Sequence, residues 1–189
     1  VDIDHFPTLS PYTTEFESVV PLKASLLANA FNSFKKKIPA ELDQFVSDNS
    51  WLKDYALFMV AKEIYHEKGW FDWPEPLARR DGRALVELHD QHEERILYYY
   101  FEQFEYNRQW QLLQEKSRHY GIQLFGDLPI YVSLDSVDVW ANQHLFTLNP
   151  KSLKPTHVAG VPPDYFSTTG QRWGNPLYDW QNSSSKVQS

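Results

Sequence analysis

Apolar side chains recur at the spacing of a helix in the first two thirds of the chain. Four of them follow one another at intervals of four residues, which places them on one helical face: Leu22, Leu26, Ala30 and Phe34. The pattern ends before Pro39. Residues 1–21 carry three prolines among Ser, Thr and Asp, which indicates an extended lead-in. The sequence therefore predicts a first amphipathic helix that begins near Leu22.

Two more helical segments follow. Between Trp51 and Lys68 a second apolar face is formed by Leu52, Ala56, Met59 and Val60, and the pattern stops at Gly69. From Ala84 to Tyr120 the chain contains neither glycine nor proline. This segment predicts either one long helix or two abutting helices.

The pattern changes at Gly121. Residues 122–132 form a short apolar run of β-prone residues that is entered from a helix through a glycine, as in a step from a helix to a parallel strand. Residues 158–180 have little periodicity and are rich in Gly, Pro and aromatic residues, which predicts a long irregular loop. We therefore expect helices first, then a strand and a loop that is either ordered or flexible.

Composition excludes several classes of function. The chain has 189 residues and a formal net charge of −7, which argues against a surface that neutralises phosphates, so we expect no nucleic-acid partner. Its apolar runs are far shorter than a membrane-spanning helix requires, so we expect no membrane partner. The absence of cysteine excludes disulfides and thiolate chemistry, and favours the cytoplasm.

Histidines and carboxylates suggest metal sites at two places. Glu63 and His66 form a Glu-x-x-His unit on a predicted helix, but no second copy exists to complete a di-metal bundle site. His89 and His92 lie three residues apart with Glu93 beside them, at a spacing that matches no usual zinc motif. Both groups are interpreted as solvated helix surface, and no metal or other cofactor is expected.

A third group of acidic residues and histidine lies at the start of the chain. Asp2 and Asp4 precede His5 in proline-rich coil, where nothing holds the two carboxylates at a defined separation or raises a pKa. This group is interpreted as an exposed segment without catalytic function.

Asp127 is a stronger candidate. It comes at the carboxyl end of the predicted strand, where α/β proteins place ligand-binding groups. A role in capping the following turn, before Pro129, is equally compatible with the sequence. Further along, Asp135 or Ser136 can cap a short helix that contains Trp140.

The richest candidate chemistry lies in residues 158–180, where aromatic residues alternate with Asp, Gln, Arg and Asn. Aromatic faces stack on the C–H faces of a sugar ring, and amide or carboxylate edges pair with its hydroxyls. A protein interface uses similar residues, so the composition of this segment fits either a sugar site or an interaction surface.

These segments resemble a known family. The similarity is carried mainly by residues 126–132, 135–140 and 158–180, and upstream by residues 21–23, 51–58, 103–104 and 109–110. Together they resemble the 4-α-glucanotransferases of the amylomaltase or disproportionating-enzyme type, glycoside hydrolase family 77. The resemblance covers about residues 15–180.

The resemblance implies an α/β fold, namely part of a (β/α)8 TIM barrel with a large helical insertion, cut before the fourth barrel strand. The implied organisation is an extended lead-in over residues 1–21, a mainly helical insertion and barrel helix over 22–120, barrel strand 3 and the active-site loop over 121–180, and an atypical tail over 181–189.

The implied reaction is transfer of α-1,4-glucan segments between maltooligosaccharide donors and acceptors, with retention through a glycosyl-enzyme intermediate. In this family the nucleophile lies in an Arg-x-Asp-His-Phe-Arg motif after the aromatic loop, followed by two more catalytic carboxylates. The chain contains no such motif there. Asp4-His5-Phe6 resembles part of it, but Asp2 and Pro7 replace the arginines and it precedes Asp127, so the match is interpreted as coincidence.

The chain is thus expected to contain substrate contacts but no catalytic carboxylate, and to be inactive alone. The expected contacts are Asp127, Asp164, Tyr165, Phe166, Gln171 and Trp173. The parent protein is expected in the cytoplasm, or in a plastid if a transit peptide has been lost. The alternative is a non-catalytic glucan-binding or interaction module that uses the same aromatic loop.

Overall fold

A computed structural model describes residues 9–180 of the chain. The helices are α1 (Phe16–Phe34), α2 (Glu41–Asp48), α3 (Trp51–Ile64), α4 (Glu75–Ala78), α5 (Gly82–Gln91), α6 (Glu93–His119) and α7 (Val137–Ala141), with 3-10 turns at Trp70–Asp72 and Gln143–Leu145. The strands are β1 (Val158–Val161) and β2 (Gln171–Pro176). Residues 9–50 and 97–122 form one compact unit, and residues 51–96 and 123–180 form a second.

The first helix begins earlier than the sequence predicts. Helix α1 starts at Phe16 and contains Pro21, so the prediction of an extended segment as far as residue 21 is wrong for its last six residues. Proline lacks the N–H that would bond to the carbonyl four residues earlier. The helix forms nevertheless because its later turns bury Phe31. Residues 1–8 of the predicted lead-in, with Asp2, Asp4 and His5, lie outside the described residues.

Aromatic rings form the core of the first unit. The Phe31 ring lies 5.3 Å from Tyr98 in an edge-on arrangement and 5.6 Å from Phe101, both on α6. The Phe45 ring of α2 packs edge-on against Phe104 at 5.6 Å. These contacts fix α1 and α2 against the part of α6 that belongs to this unit.

The segment from Ala84 to Tyr120 is two abutting helices, as one of the two predicted alternatives states. Asp81 caps α5 by accepting hydrogen bonds from the N–H groups of Arg83 and Ala84. The break falls at His92, whose φ of −133° is not helical.

The second unit is built around α3 and two tryptophans. Leu52, Ala56 and Val60 are buried, as the spacing predicts, whereas Met59, the fourth residue of that predicted face, is only partly buried. Trp70 and Trp140 are fully buried, and the Trp140 indole Nε1 donates to the carbonyl of Leu77 at 2.9 Å. The helix containing Trp140 is capped by Ser136, whose hydroxyl accepts from Val139 N, which confirms one of the two predicted caps.

The predicted strand at residues 122–132 is absent. Among residues 9–180 only β1 and β2 are strands, and the 122–130 segment is exposed, including Phe125 and Leu128. A strand needs a neighbour that pairs with its N–H and C=O groups, and no described segment does so here. High β-propensity alone therefore does not produce a strand.

A hairpin lies where an irregular loop was predicted. Strands β1 and β2 pair antiparallel, with Gly160 opposite Arg172 and Val161 opposite Gln171. The register shifts between Val158 and Gly160, where a step of two residues on β1 faces a step of four on β2, so the pairing is irregular there. Glycines, the irregular pairing and half-exposed faces hide the two-residue alternation by which strands are recognised in a sequence.

The helices of residues 9–180 include none that combines the length and the apolar character needed to cross a membrane.

Candidate functional site

The turn between β1 and β2 is shaped by one carboxylate. Oδ1 of Asp164 accepts hydrogen bonds from Phe166 N at 2.9 Å and Ser167 N at 2.8 Å. Asp164 N in turn donates to the carbonyl of Ser167 at 2.9 Å. This is an Asx-type turn, in which a short acidic side chain satisfies the N–H groups of the residues that follow it. In this structure, Oδ1 of Asp164 is thus occupied by hydrogen bonds from backbone N–H groups.

The base of the turn is closed by Ser167 and Gly170. The Ser167 hydroxyl donates to the carbonyl of Gly170 at 2.8 Å. Gly170 has a φ of +75°, and a β-carbon built on it would lie 2.5 Å from the carbonyl oxygen of Val161. Only glycine fits this position without strain.

The turn presents two aromatic rings to solvent. Tyr165 is 99% exposed and Phe166 is 90% exposed. Their ring centroids are 6.0 Å apart and the planes are nearly perpendicular. Because both rings are almost fully exposed, they are available for contact with a ligand or with another protein surface.

Strand β2 carries the amide and the third aromatic ring. The Trp173 indole Nε1 donates to Oε1 of Gln171 at 2.9 Å. The Trp173 ring lies 6.1 Å from the ring of Tyr131 and is half exposed. The hydrogen bond orients the Gln171 amide, while one side of the indole is open to solvent.

Asn175 and Tyr131 belong to this surface although the residue pattern did not select them. The Asn175 side-chain amide donates to the carbonyl of Val132 at 2.9 Å, which ties β2 to the segment that follows Asp127. The only signal in the sequence is a polar amide before Pro176 at the end of an aromatic run.

Asp127 is not brought to the hairpin by any bond. It lies in the exposed 122–130 segment, and within residues 9–180 no hydrogen bond or ion pair joins it to the other predicted contacts. The structure thus groups Asp164, Tyr165 and Phe166 on one turn and Gln171 with Trp173 on the adjoining strand.

Neither histidine group has the arrangement of a helical metal motif. Helix α3 ends at Ile64 and His66 has a φ of +53°, so Glu63 and His66 do not share a helical face. Glu63 instead accepts hydrogen bonds from Arg95. In the second group, the residues that cluster are His89, Asp90 and Glu93, whose ligand atoms lie within 4.8 Å of one another. All three residues are exposed, and His92 is not part of the cluster.

Comparison with known proteins shows which family the chain belongs to. Residues 4–186 match the model of glycoside hydrolase family 77, described as 4-alpha-glucanotransferase. The chain belongs to glycoside hydrolase family 77. This confirms the resemblance identified in the sequence.

Curated members of family 77 align along most of the chain. A 4-alpha-glucanotransferase from Synechocystis is 40% identical over 95% of this chain and 36% of its own length. One from Thermus thermophilus is 45% identical over 82% of this chain and 32% of its own. A chloroplastic/amyloplastic 4-alpha-glucanotransferase from Solanum tuberosum is 40% identical over 88% of this chain and 30% of its own. The chain thus spans about a third of the length of these relatives.

A solved structure has the same fold over nearly the whole chain. It is the amylomaltase from Streptococcus agalactiae in complex with acarbose, which superimposes with a TM-score of 0.88 at 35% identity. The match covers 94% of this chain and 36% of that chain. Together with the helices and the small hairpin sheet, it establishes the amylomaltase fold family for this chain.

Proposed function

We propose that this chain is part of a 4-α-glucanotransferase that transfers α-1,4-glucan segments between maltodextrins by a retaining mechanism. The observation that supports this most strongly is that the family match includes the β1–β2 hairpin, whose exposed side chains suit a sugar ligand. That surface combines exposed rings with an oriented amide, and the relatives that align along it are named as enzymes, which favours the transferase over a non-catalytic module.

The hairpin chemistry suits a glucan. The exposed faces of Tyr165 and Phe166 can stack on the C–H faces of glucose rings. The half-exposed Trp173 and its hydrogen-bonded partner Gln171 offer a second ring and an amide edge for sugar hydroxyls. We assign Tyr165 and Phe166 to the acceptor side, and Gln171 and Trp173 to the donor side. Asp127 and Asp164 complete the proposed contacts.

In this proposal the chain contributes binding groups, and the three catalytic carboxylates belong to the parent protein. The parent is a (β/α)8 barrel in which residues 22–120 are mainly a helical insertion and residues 121–180 supply barrel strand 3 and the active-site loop. Within that barrel, residues 122–130 would meet neighbouring strands that residues 9–180 do not offer. We place the parent in the cytoplasm or in a plastid.

Glucan binding by the chain tests the proposal directly. Tryptophan fluorescence is titrated with maltoheptaose for the wild type, for Trp173→Ala and for Trp51→Ala. Trp51 and Trp173 are each 50% exposed, but Trp51 lies on α3 and serves as the matched control. We expect saturable quenching that Trp173→Ala weakens about tenfold or more and Trp51→Ala leaves unchanged.

A second measurement concerns catalysis. The chain is incubated with maltotriose, and glucose and longer maltodextrins are measured. We expect neither product, because a retaining mechanism has no covalent step without its nucleophile. Absence of quenching in the wild type would contradict the binding role, and formation of longer maltodextrins would contradict the assignment of the catalytic groups to the rest of the parent.

A further inference from the structure

Lys62 is a buried cation far from the hairpin in sequence. Its side chain is only 10% exposed. Its ammonium donates to three oxygens, at 2.7 Å to Glu67 O, 3.0 Å to Lys68 O and 2.8 Å to Oδ2 of Asp135. Glu67 Oε2 lies farther away, at 3.9 Å. A buried ammonium with all three protons donated holds its partners in a defined geometry, because each lost bond leaves a desolvated charge.

Asp135 connects Lys62 to the segment that follows Asp127. Its other oxygen, Oδ1, accepts from Trp70 N at 3.3 Å. The indole of the fully buried Trp70 donates to the carbonyl of Leu134 at 2.6 Å. Residues 134–135 are therefore held from one side by two buried side chains of the helical part of the second unit.

Residues 131 and 132, which lie just before this pair, contact strand β2 of the hairpin. The carbonyl of Val132 accepts from the amide of Asn175, and the ring of Tyr131 lies edge-on to Trp173. Tyr131 contacts Trp173 and Asp135 contacts Lys62, so only residues 132–134 separate the two contacts. In the described part of the chain, this segment joins the buried lysine to the proposed donor-side residues.

We propose that Lys62, through its ion pair with Asp135, is a positioning residue for the proposed glucan-binding face of β2. The expected effect of Lys62 on glucan affinity rests on the proposed function, whereas its expected effect on the position of the hairpin residues does not. The ion pair sets the position of residues 131–135, and these set the orientation of Trp173 and Asn175. Lys62 touches no sugar in this scheme.

Two variants and two controls test the inference on the whole chain. Lys62→Met removes the ammonium but keeps most of the apolar stem, and Asp135→Asn removes the carboxylate charge while keeping an oxygen for Trp70 N. The controls are Lys53→Met on the exposed side of α3 and Asp138→Asn on α7, both exposed.

The first readout is amide hydrogen exchange without ligand. In both variants the amides of β2, which pair with β1, are expected to exchange about tenfold faster, while those of α3 keep their protection and the controls match the wild type. Unchanged exchange in β2 would overturn the inference. So would a uniform loss of protection across the second unit in both variants, since the ion pair would then stabilise the unit without directing the hairpin.

The second readout is maltoheptaose affinity at 25 °C, measured on variants whose α3 amides keep their protection. We expect about a five- to tenfold weaker Kd in Lys62→Met and Asp135→Asn and no change in the controls. An altered hairpin with unaltered Kd would overturn the positioning role. If the wild type itself does not bind maltoheptaose, the proposed function fails, and the exchange measurement still decides whether Lys62 orients β2.

Discussion

Gly160 of β1 faces the carbonyl oxygen of Gln171 so closely that a β-carbon on Gly160 would lie 2.5 Å from it. The contact is to backbone, which cannot rotate away as a side chain can. Gly160→Ala is therefore expected to push the strands apart and to destabilise the second unit by about 1–3 kcal/mol. Thermal unfolding measures this effect.

Gly82→Ala is the matched control for that substitution. Gly82 begins α5, and no atom lies within 4 Å of the position its β-carbon would take. Because alanine favours a helix over glycine, this variant is expected to be neutral or slightly stabilised, by less than about 1 kcal/mol. Equal melting temperatures for Gly160→Ala and the wild type would show that the hairpin accommodates a side chain at Gly160.

The carboxylate of Asp164 shapes the turn that presents Tyr165 and Phe166. Asp164→Ala removes the acceptor of two backbone N–H groups, so the turn is expected to lose about 1 kcal/mol of local stability. Asp164→Asn retains an oxygen at Oδ1 and should preserve most of it. Amide exchange at Phe166 and Ser167 distinguishes the two variants, and identical rates in both would contradict the turn-forming role.

Trp140 combines full burial with a satisfied hydrogen bond. Trp140→Phe leaves the Leu77 carbonyl without its indole donor and opens space under the Arg80 guanidinium, which lies 4.3 Å from the indole centroid. We expect a loss of about 2–4 kcal/mol in the free energy of unfolding, measured with urea. Trp51→Phe, at a half-exposed position, should change it by less than about 1 kcal/mol. Similar losses in both variants would argue against a specific role for the buried indole.

Burial raises the pKa of the Tyr100 phenol on α6 above its ordinary value. The folded state therefore favours the neutral phenol. The resulting stability is fully present below the ordinary tyrosine pKa of about 10 and is lost as the pH rises through the higher folded pKa. Urea unfolding at about pH 8 and pH 11 should show a larger alkaline loss in the wild type than in Tyr100→Phe, and equal losses would contradict the prediction.

Tyr165 is expected to exclude water in the parent enzyme. If its ring stacks over the acceptor side, the glycosyl-enzyme intermediate meets a sugar hydroxyl more often than water. In the full-length protein, Tyr165→Ala should lower disproportionation and raise the ratio of hydrolysis to transfer. Free reducing ends measured against chain redistribution give this ratio. A lowered melting temperature with an unaltered ratio would show that the turn is only structural.

The sequence identifies most residues of the candidate surface but not their arrangement. Asp127 was selected by its position after the predicted strand, and the family resemblance singles out Asp164, Tyr165, Phe166, Gln171 and Trp173. The contacts of Asn175 with Val132 and of Trp173 with Tyr131 were not predicted, because each joins residues more than 40 positions apart. Spacing along a chain carries no information on which distant backbone group an amide will meet.

The three longest helical segments and the cap of α7 were determined by the sequence itself, because the hydrogen bonds of a helix run over four residues and its buried face repeats in the same interval. Thus Leu52, Ala56 and Val60 lie on the buried face of α3, and Ser136 caps α7. The early start of α1 and the short helix α2 were not predicted. Tertiary structure decided the hairpin register, the absence of a strand at residues 122–132 and the pairing of Lys62 with Asp135, 73 residues away. A strand or a buried charge is stable only when a distant partner satisfies it, and the fold determines which partner comes close.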